Sequence, residues 1–229
     1  MRILAVAVSA MLALEGGARG QAAPPTPVPL DFLPALKGDH FGVNSAATGH
    51  SYHIYVRLPD GYEADRARRY PVVYLLDGDS LFPYLAPHHL FLTSDDKLPE
   101  AIIVGIAYGS FAPPVNNRDR DFGEGAEAFQ RFLKSELIPL VEGRTRADPS
   151  RRILVGQSRS GGFVLYSAYT DPDLFWGRIA SNPSFPAHRA LLVSGAPAAA
   201  ARRDLRLAVA SGTNDRPAIR AGTLEWFAA

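Results

Sequence analysis

Arg152-Ile153-Leu154-Val155-Gly156-Gln157-Ser158-Arg159-Ser160-Gly161-Gly162 decides the fold. A short apolar run enters a glycine-flanked turn with a serine at its centre, and a helical pattern, Gly162–Tyr169, follows. Strand, sharp turn and helix in that order make a nucleophile elbow. Such a turn holds the serine in a strained conformation costing about 1–3 kcal/mol. In return the Ser158 hydroxyl projects clear of the sheet and the next N–H, that of Arg159, faces a developing oxyanion. The helix N-terminus adds positive potential. Positions 156 and 160 approach closely enough that only small side chains fit. The usual pattern is Gly-x-Ser-x-Gly, and Ser160 fills the last place here. The competing reading of Ser158 is an N-cap serine in a tight turn.

Outward from the elbow, short runs apolar on successive residues recur at Pro71–Leu76, Ala101–Ala107, Phe175–Ala180 and Leu205–Ala210. Runs of this kind fit parallel strands covered on both faces. His53–Leu58 alternates and reads as a half-buried strand. Gly125–Glu142 carries apolar residues at 126, 129, 132, 133, 137 and 140 on one face, with a kink expected at Pro139. Ala187–Val193 and Ile219–Ala229 read as further helices. Strands alternating with helices imply an α/β three-layer sandwich with a mostly parallel central sheet.

The 229 residues suit one such domain, with 24 basic and 23 acidic side chains. A net charge of +1 gives no field to steer nucleic acid or an anionic membrane, so neither is expected as a partner. With no cysteine, disulfides, thiolate metal sites and a cysteine nucleophile are excluded. No metal-site spacing occurs, and no cofactor or metal is expected. Arg2, the uncharged run Ile3–Leu14 and the small-residue stretch to Ala23 have the layout of a secretory signal. Residues 1–22 are therefore expected to be removed on export to the periplasm or beyond. Residues 23–37, with Pro24, Pro25, Pro27 and Pro29, form a tether to a domain over 38–229.

Several segments together resemble a known family. They are Tyr70-Pro71-Val72-Val73-Tyr74-Leu75-Leu76-Asp77-Gly78, Ile103-Val104-Gly105-Ile106, Arg118-Asp119-Arg120-Asp121-Phe122, Phe132-Leu133 through Pro139, the elbow, and Asp171-Pro172-Asp173-Leu174-Phe175 leading to Ser181-Asn182-Pro183-Ser184. In order and spacing this is similar to the esterase group of the α/β-hydrolase superfamily that holds enterochelin esterases, esterase D and feruloyl esterases.

The resemblance implies an α/β-hydrolase fold and hydrolysis of a small-molecule ester through an acyl-enzyme on Ser158. It implies an oxyanion hole from the main-chain N–H groups of Arg159 and Asp79, and the acid of the triad in the loop after Leu205–Ala210, at Asp215. The Asp79 side chain is left between a catalytic part and a hydrogen bond within its own turn. Arg118 and Arg120 are candidates to grip an anionic substrate group, against the alternative of a structural knot with Asp119 and Asp121. In this fold the triad runs Ser, Asp, His along the chain, yet no histidine follows Asp215. The sequence is therefore expected to be C-terminally incomplete, with the base beyond residue 229. A non-catalytic binding domain and an acyltransferase of the same fold stay open. His40, His50, His53, His88, His89 and His188 read as surface or packing residues. Gly123–Ala128 matches G-x-G-x-x-A but lacks the preceding strand that dinucleotide binding needs.

Overall fold

The pattern of apolar runs becomes one sheet. A computed structural model describes residues 38–95, 98–194 and 204–229; the expected signal segment 1–22 and tether 23–37 lie outside the described residues. The strands are β1 (Asp39–Asn44), β2 (Ser51–Arg57), β3 (Tyr70–Leu75), β4 (Ile102–Ala107), β5 (Ala147–Gln157), β6 (Gly177–Ser181) and β7 (Arg206–Ala210). Their spatial order is β1-β2-β4-β3-β5-β6-β7. The first two pairings are antiparallel and the rest parallel. The fold is thus the α/β type expected. β1, whose Gly42 and polar neighbours give no apolar run, adds an edge the sequence pattern did not announce.

The helices sort to two faces because parallel crossovers are right-handed. From β3 the chain steps to β4 in one direction, carrying α1 (Gly78–Asp95). Every later crossover steps the other way, carrying α2 (Arg118–Asp121), α3 (Ala126–Phe132), α4 (Ile138–Arg144), α5 (Arg159–Thr170) and α6 (Arg189–Ser194). The final helix, α7 (Pro217–Ala228), starts on Pro217, where a missing N–H costs nothing. It joins the α5 side, where Trp226 Nε1 donates to the Tyr169 hydroxyl at 3.0 Å. Strand β3 shows the division. Val72, Tyr74 and Leu76 enter the large core with Phe129, Phe132 and Phe163, whereas Leu75 packs with Ala86 and Ile103 below α1.

Three local findings differ from the sequence expectation. First, α1 was hidden by Pro83 and Pro87 in its interior. It packs hard on β4: a Cβ on Gly105 would lie 2.7 Å from Phe82 Cβ. Second, Gly125–Glu142 is no single kinked helix. Leu133–Leu137 forms a π-helical turn, so Pro139 falls in the first turn of α4, where its absent N–H breaks no ladder bond. Third, cover on both faces holds for β3 and β4 but not for β5 and β6. Among the described residues only α1 lies on that side, and Trp176 and Ile179 stay 43% and 44% exposed.

The core also holds charge. Asp121, 1% exposed, accepts hydrogen bonds from the hydroxyls of Tyr52 at 2.7 Å and Tyr108 at 3.1 Å. Burial pushes its carboxyl pKa up, against the pull of those two donors.

Candidate active site

Ser158 sits between β5 and α5 at φ 59° and ψ −118°, a region that non-glycine residues rarely adopt. The main chain over-determines this conformation. Ser158 N donates to Ser181 O at 2.9 Å, and Ser158 O accepts from Gly162 N at 3.0 Å and Ser184 N at 2.8 Å. Close approach makes the flanking glycines necessary. A Cβ on Gly156 would lie 2.5 Å from Ser160 O, and one on Gly162 would strike the Ser184 carbonyl oxygen. The N-cap alternative does not apply, since Ser158 makes no side-chain cap hydrogen bond.

The elbow opens into a cavity of about 300 Å³ lined by Asp77, Asp79, Ser80, Phe111, Asn116, Arg118, Gln157 and Ser158. Two helices start at its wall, α1 at Gly78 and α5 at Arg159. Their N-termini concentrate positive potential there. Among the described residues the main-chain N–H groups of Asp79 and Arg159 have no hydrogen-bond partner. Both are therefore available to an oxygen in the cavity.

The Asp79 side chain leaves its own turn. It accepts from Tyr108 N at 2.7 Å and Gly109 N at 2.9 Å, tying the start of α1 to the loop after β4. Asp77, which the sequence reading passed over, holds the rim together. Its carboxylate takes a two-pronged bond from Arg118, Nε at 2.8 Å and Nη2 at 2.9 Å, and one from Ser160 Oγ at 2.7 Å. That bond raises the Arg118 pKa further. Ser160, the departure from the glycine pattern, also accepts from Gln157 N at 2.8 Å. The departure was itself the available signal, because a buried hydroxyl requires a partner.

Arg118 therefore lines the cavity with its charge matched by Asp77. Arg120 is not part of that lining; its Nη1 donates to His50 Nε2 at 2.6 Å. Arg159 is half exposed and pairs with Asp119 at 3.1 Å.

Asp215 lies in the loop after β7, as expected. Oδ1 accepts from Asn182 Nδ2 at 2.8 Å, and Oδ2 from Ser211 Oγ at 2.9 Å and Gly212 N at 2.7 Å. Asn182, at φ 45°, follows β6 and donates its own N–H to Ala210 O. The ends of β5, β6 and β7 are thereby stitched side by side, with Asn182 on the loop between those that carry Ser158 and Asp215. No histidine joins them. His188 bonds to Phe122 O at 3.0 Å against the Tyr166 ring, and burial lowers its pKa. His89 bonds to Pro99 O, His40 to His53, and His88 stacks between Tyr84 and Phe91.

Residues 45–228 match the family described as "Putative esterase". The chain belongs to that family. Within this esterase family it is 31% identical over 168 residues to Ferri-bacillibactin esterase BesA of Bacillus subtilis (strain 168), covering 62% of this chain and 56% of that protein. It is 28% identical over 153 residues to the Apo-salmochelin esterase of Escherichia coli O6:H1, covering 58% of this chain and 46% of that one. The chain spans about half the length of the curated relatives it matches. Among solved structures, the BES protein from Bacillus cereus superposes with a TM-score of 0.72 at 20% identity, covering 90% of this chain and 83% of that one. At that identity the likeness speaks for the α/β-hydrolase-like fold.

Proposed function

We propose that this protein is a serine carboxylic-ester hydrolase. Ser158 Oγ attacks the ester carbonyl, the N–H groups of Arg159 and Asp79 hold the oxyanion, and water releases the acyl group from Ser158. Asp215 orients the base. The carboxylate has about four acceptor positions and three are filled, which leaves one on Oδ1 for an imidazole N–H. None of the six histidines of this chain fills it. Arg118 contributes a donor surface on the substrate side of the cavity. The substrate is a small-molecule ester of the siderophore type, the class named for two relatives. Residues 1–22 direct export, which places the reaction outside the cytosol. No described helix is long and apolar enough to cross a membrane.

The observation that carries this reading is the main-chain trap around Ser158. Three hydrogen bonds hold a strained serine at the mouth of a cavity beside two free N–H donors. With 4-nitrophenyl butyrate the chain should release a burst of about one nitrophenol per protein, then turn over slowly. Loss of one triad member leaves about 10³–10⁴-fold acceleration over water, from the oxyanion hole and binding alone. Ser158→Ala should give no burst.

The second reading is a binding domain on the same fold. That reading requires the burst to be missing from the unmodified chain as well.

A further inference from the structure

The two N–H groups that face the cavity belong to different turns. That of Arg159 opens α5 after β5, and that of Asp79 lies in the first turn of α1 after β3. Strands β3 and β5 pair in parallel as far as Leu75 and Val155, and Leu76 N then donates to Val155 O at 2.9 Å. Among the described residues this is the last main-chain hydrogen bond across that seam, and it stops short of both Asp79 and Arg159. Beyond it the seam is continued by a side chain. The wholly buried Ser160 hydroxyl donates to Asp77 Oδ2 at 2.7 Å and accepts from Gln157 N at 2.8 Å. Ser160 is the residue after Arg159, and Asp77 lies two residues before Asp79. We propose that Ser160 is a positioning residue whose bond to Asp77 sets the spacing of the two oxyanion donors. The proposal rests on the nucleophile reading of Ser158 and gives a part to the one residue that departs from the glycine pattern.

Both ends of this strut are anchored. Asp77 is a non-glycine residue at φ 52°, and its carbonyl oxygen accepts from Ser80 N and Leu81 N, each at 3.0 Å, where α1 begins. Its carboxylate is clamped from the far side by Arg118. A shift of Asp77 therefore carries the first turn of α1, and the Asp79 N–H, with it. At the other end the Ser160 carbonyl is pressed on Gly156, where a Cβ would lie 2.5 Å away, so Ser160 moves only with the elbow. The hydroxyl has a single proton and two acceptors in reach, Asp77 Oδ2 and Gln157 O at 2.9 Å, and the charge on the carboxylate favours the first. Glycine, the usual residue at this place, has no atom to bridge the gap.

The spacing matters because an oxyanion needs both donors at about 2.7–3.1 Å. A misplacement of about 1 Å costs up to about 10²-fold in rate. The fold does not depend on the strut in the same way. Asp79 holds the start of α1 to β4 independently, through Tyr108 N at 2.7 Å and Gly109 N at 2.9 Å. Loss of the Ser160 hydroxyl thus loosens the gap between the two turns and leaves each turn formed.

The test follows phosphonylation of Ser158 in the full chain by a rhodamine-tagged fluorophosphonate. A P–O bond forms to Ser158 Oγ, fluoride leaves, and the hydroxyl proton passes to water. The rate is measured against probe concentration in the unmodified chain, Ser160→Ala and Ser160→Cys. A spacing role acts on the maximal rate and not on the half-saturating concentration, because charge gathers on the phosphoryl oxygen only in the transition state. The maximal rate should fall about tenfold in Ser160→Ala and about threefold in Ser160→Cys, whose thiol is a weaker donor. The half-saturating concentration should stay within about twofold. Circular dichroism checks the fold; should Ser160→Ala not fold, Ser160→Cys decides alone. A maximal rate equal to that of the unmodified chain, or a loss carried wholly by the half-saturating concentration, overturns the proposal. An unmodified chain that is not labelled at Ser158 marks failure of the nucleophile reading, and the proposal falls with it, so the two failures are distinguishable.

Discussion

The turns that hold Ser158 and Asp215 flank the loop after β6 and are built on opposite principles. At Ser158 the main chain does the holding: three backbone hydrogen bonds fix a left-handed residue, and its hydroxyl makes no hydrogen bond among the described residues. At Asp215 the side chain does the holding: its carboxylate collects Asn182, Ser211 and Gly212, and the loop forms around it. The first arrangement leaves the reactive atom free. The second consumes most of the acceptor capacity of the group it positions. A nucleophile needs the first and an orienting acid tolerates the second.

This contrast can be broken most severely at Gly156. Gly156→Ala places a methyl against the Ser160 carbonyl, backbone that cannot rotate away. Overpacking of this kind costs about 3 kcal/mol, and the melting temperature should fall by about 6–12 °C in a chain of this size. An unchanged melting temperature would mean that the elbow is looser than the close approach implies.

Asp77 comes next. Asp77→Ala leaves the Arg118 guanidinium and the Ser160 hydroxyl without their carboxylate, and charge-assisted bonds to a part-buried group make a loss of about 2 kcal/mol the expectation. Urea unfolding gives the value, and a cycle with Arg118→Ala should return coupling of at least about 1 kcal/mol. Additive losses would show that the pair is ornamental.

A smaller effect is expected at Asp215. Asp215→Asn keeps an acceptor for one partner and offers an N–H to another donor, so stability should fall by about 1 kcal/mol. Amide exchange should quicken at Gly212 and not at Gly162, because the two turns are held independently. Equal quickening at both would erase the distinction.

Asp121 sharpens the comparison as a carboxylate with hydroxyl donors alone. Its folded pKa is raised, so the folded state binds the proton more tightly than the unfolded chain does. The stability this contributes is present at low pH and is lost as pH rises through the folded value. Relative to Asp121→Asn, the unmodified chain should lose stability on going from about pH 4 upward, measured by urea unfolding at stepped pH. The opposite slope would contradict the assignment of burial as the dominant cause.

How much of this was legible in the sequence follows from the same physics. Runs such as Ile102–Ala107 announce strands because a doubly covered strand has no polar face to show. The elbow was legible because close backbone approach restricts residue identity at 156 and 160. Helix α1 was not, since Pro83 and Pro87 contradict helix propensity and only packing of Phe82 on Gly105 outweighs them. Nor was the Asp77–Arg118–Ser160 cluster, whose members lie 41 and 83 positions apart and meet only once β3 and β5 pair. Asn182 and Ser211 were missed for the same reason. Side chains that bond across loops leave no period behind.

The central claim is that Ser158 is a free hydroxyl held out by its backbone. Incubation of the full chain with a fluorophosphonate, followed by peptide mass mapping, tests it directly. The account expects one phosphonyl adduct, on the peptide carrying Ser158, and none after Ser158→Ala. An adduct that survives that substitution, or an unmodified chain that takes up no phosphonate, would contradict it.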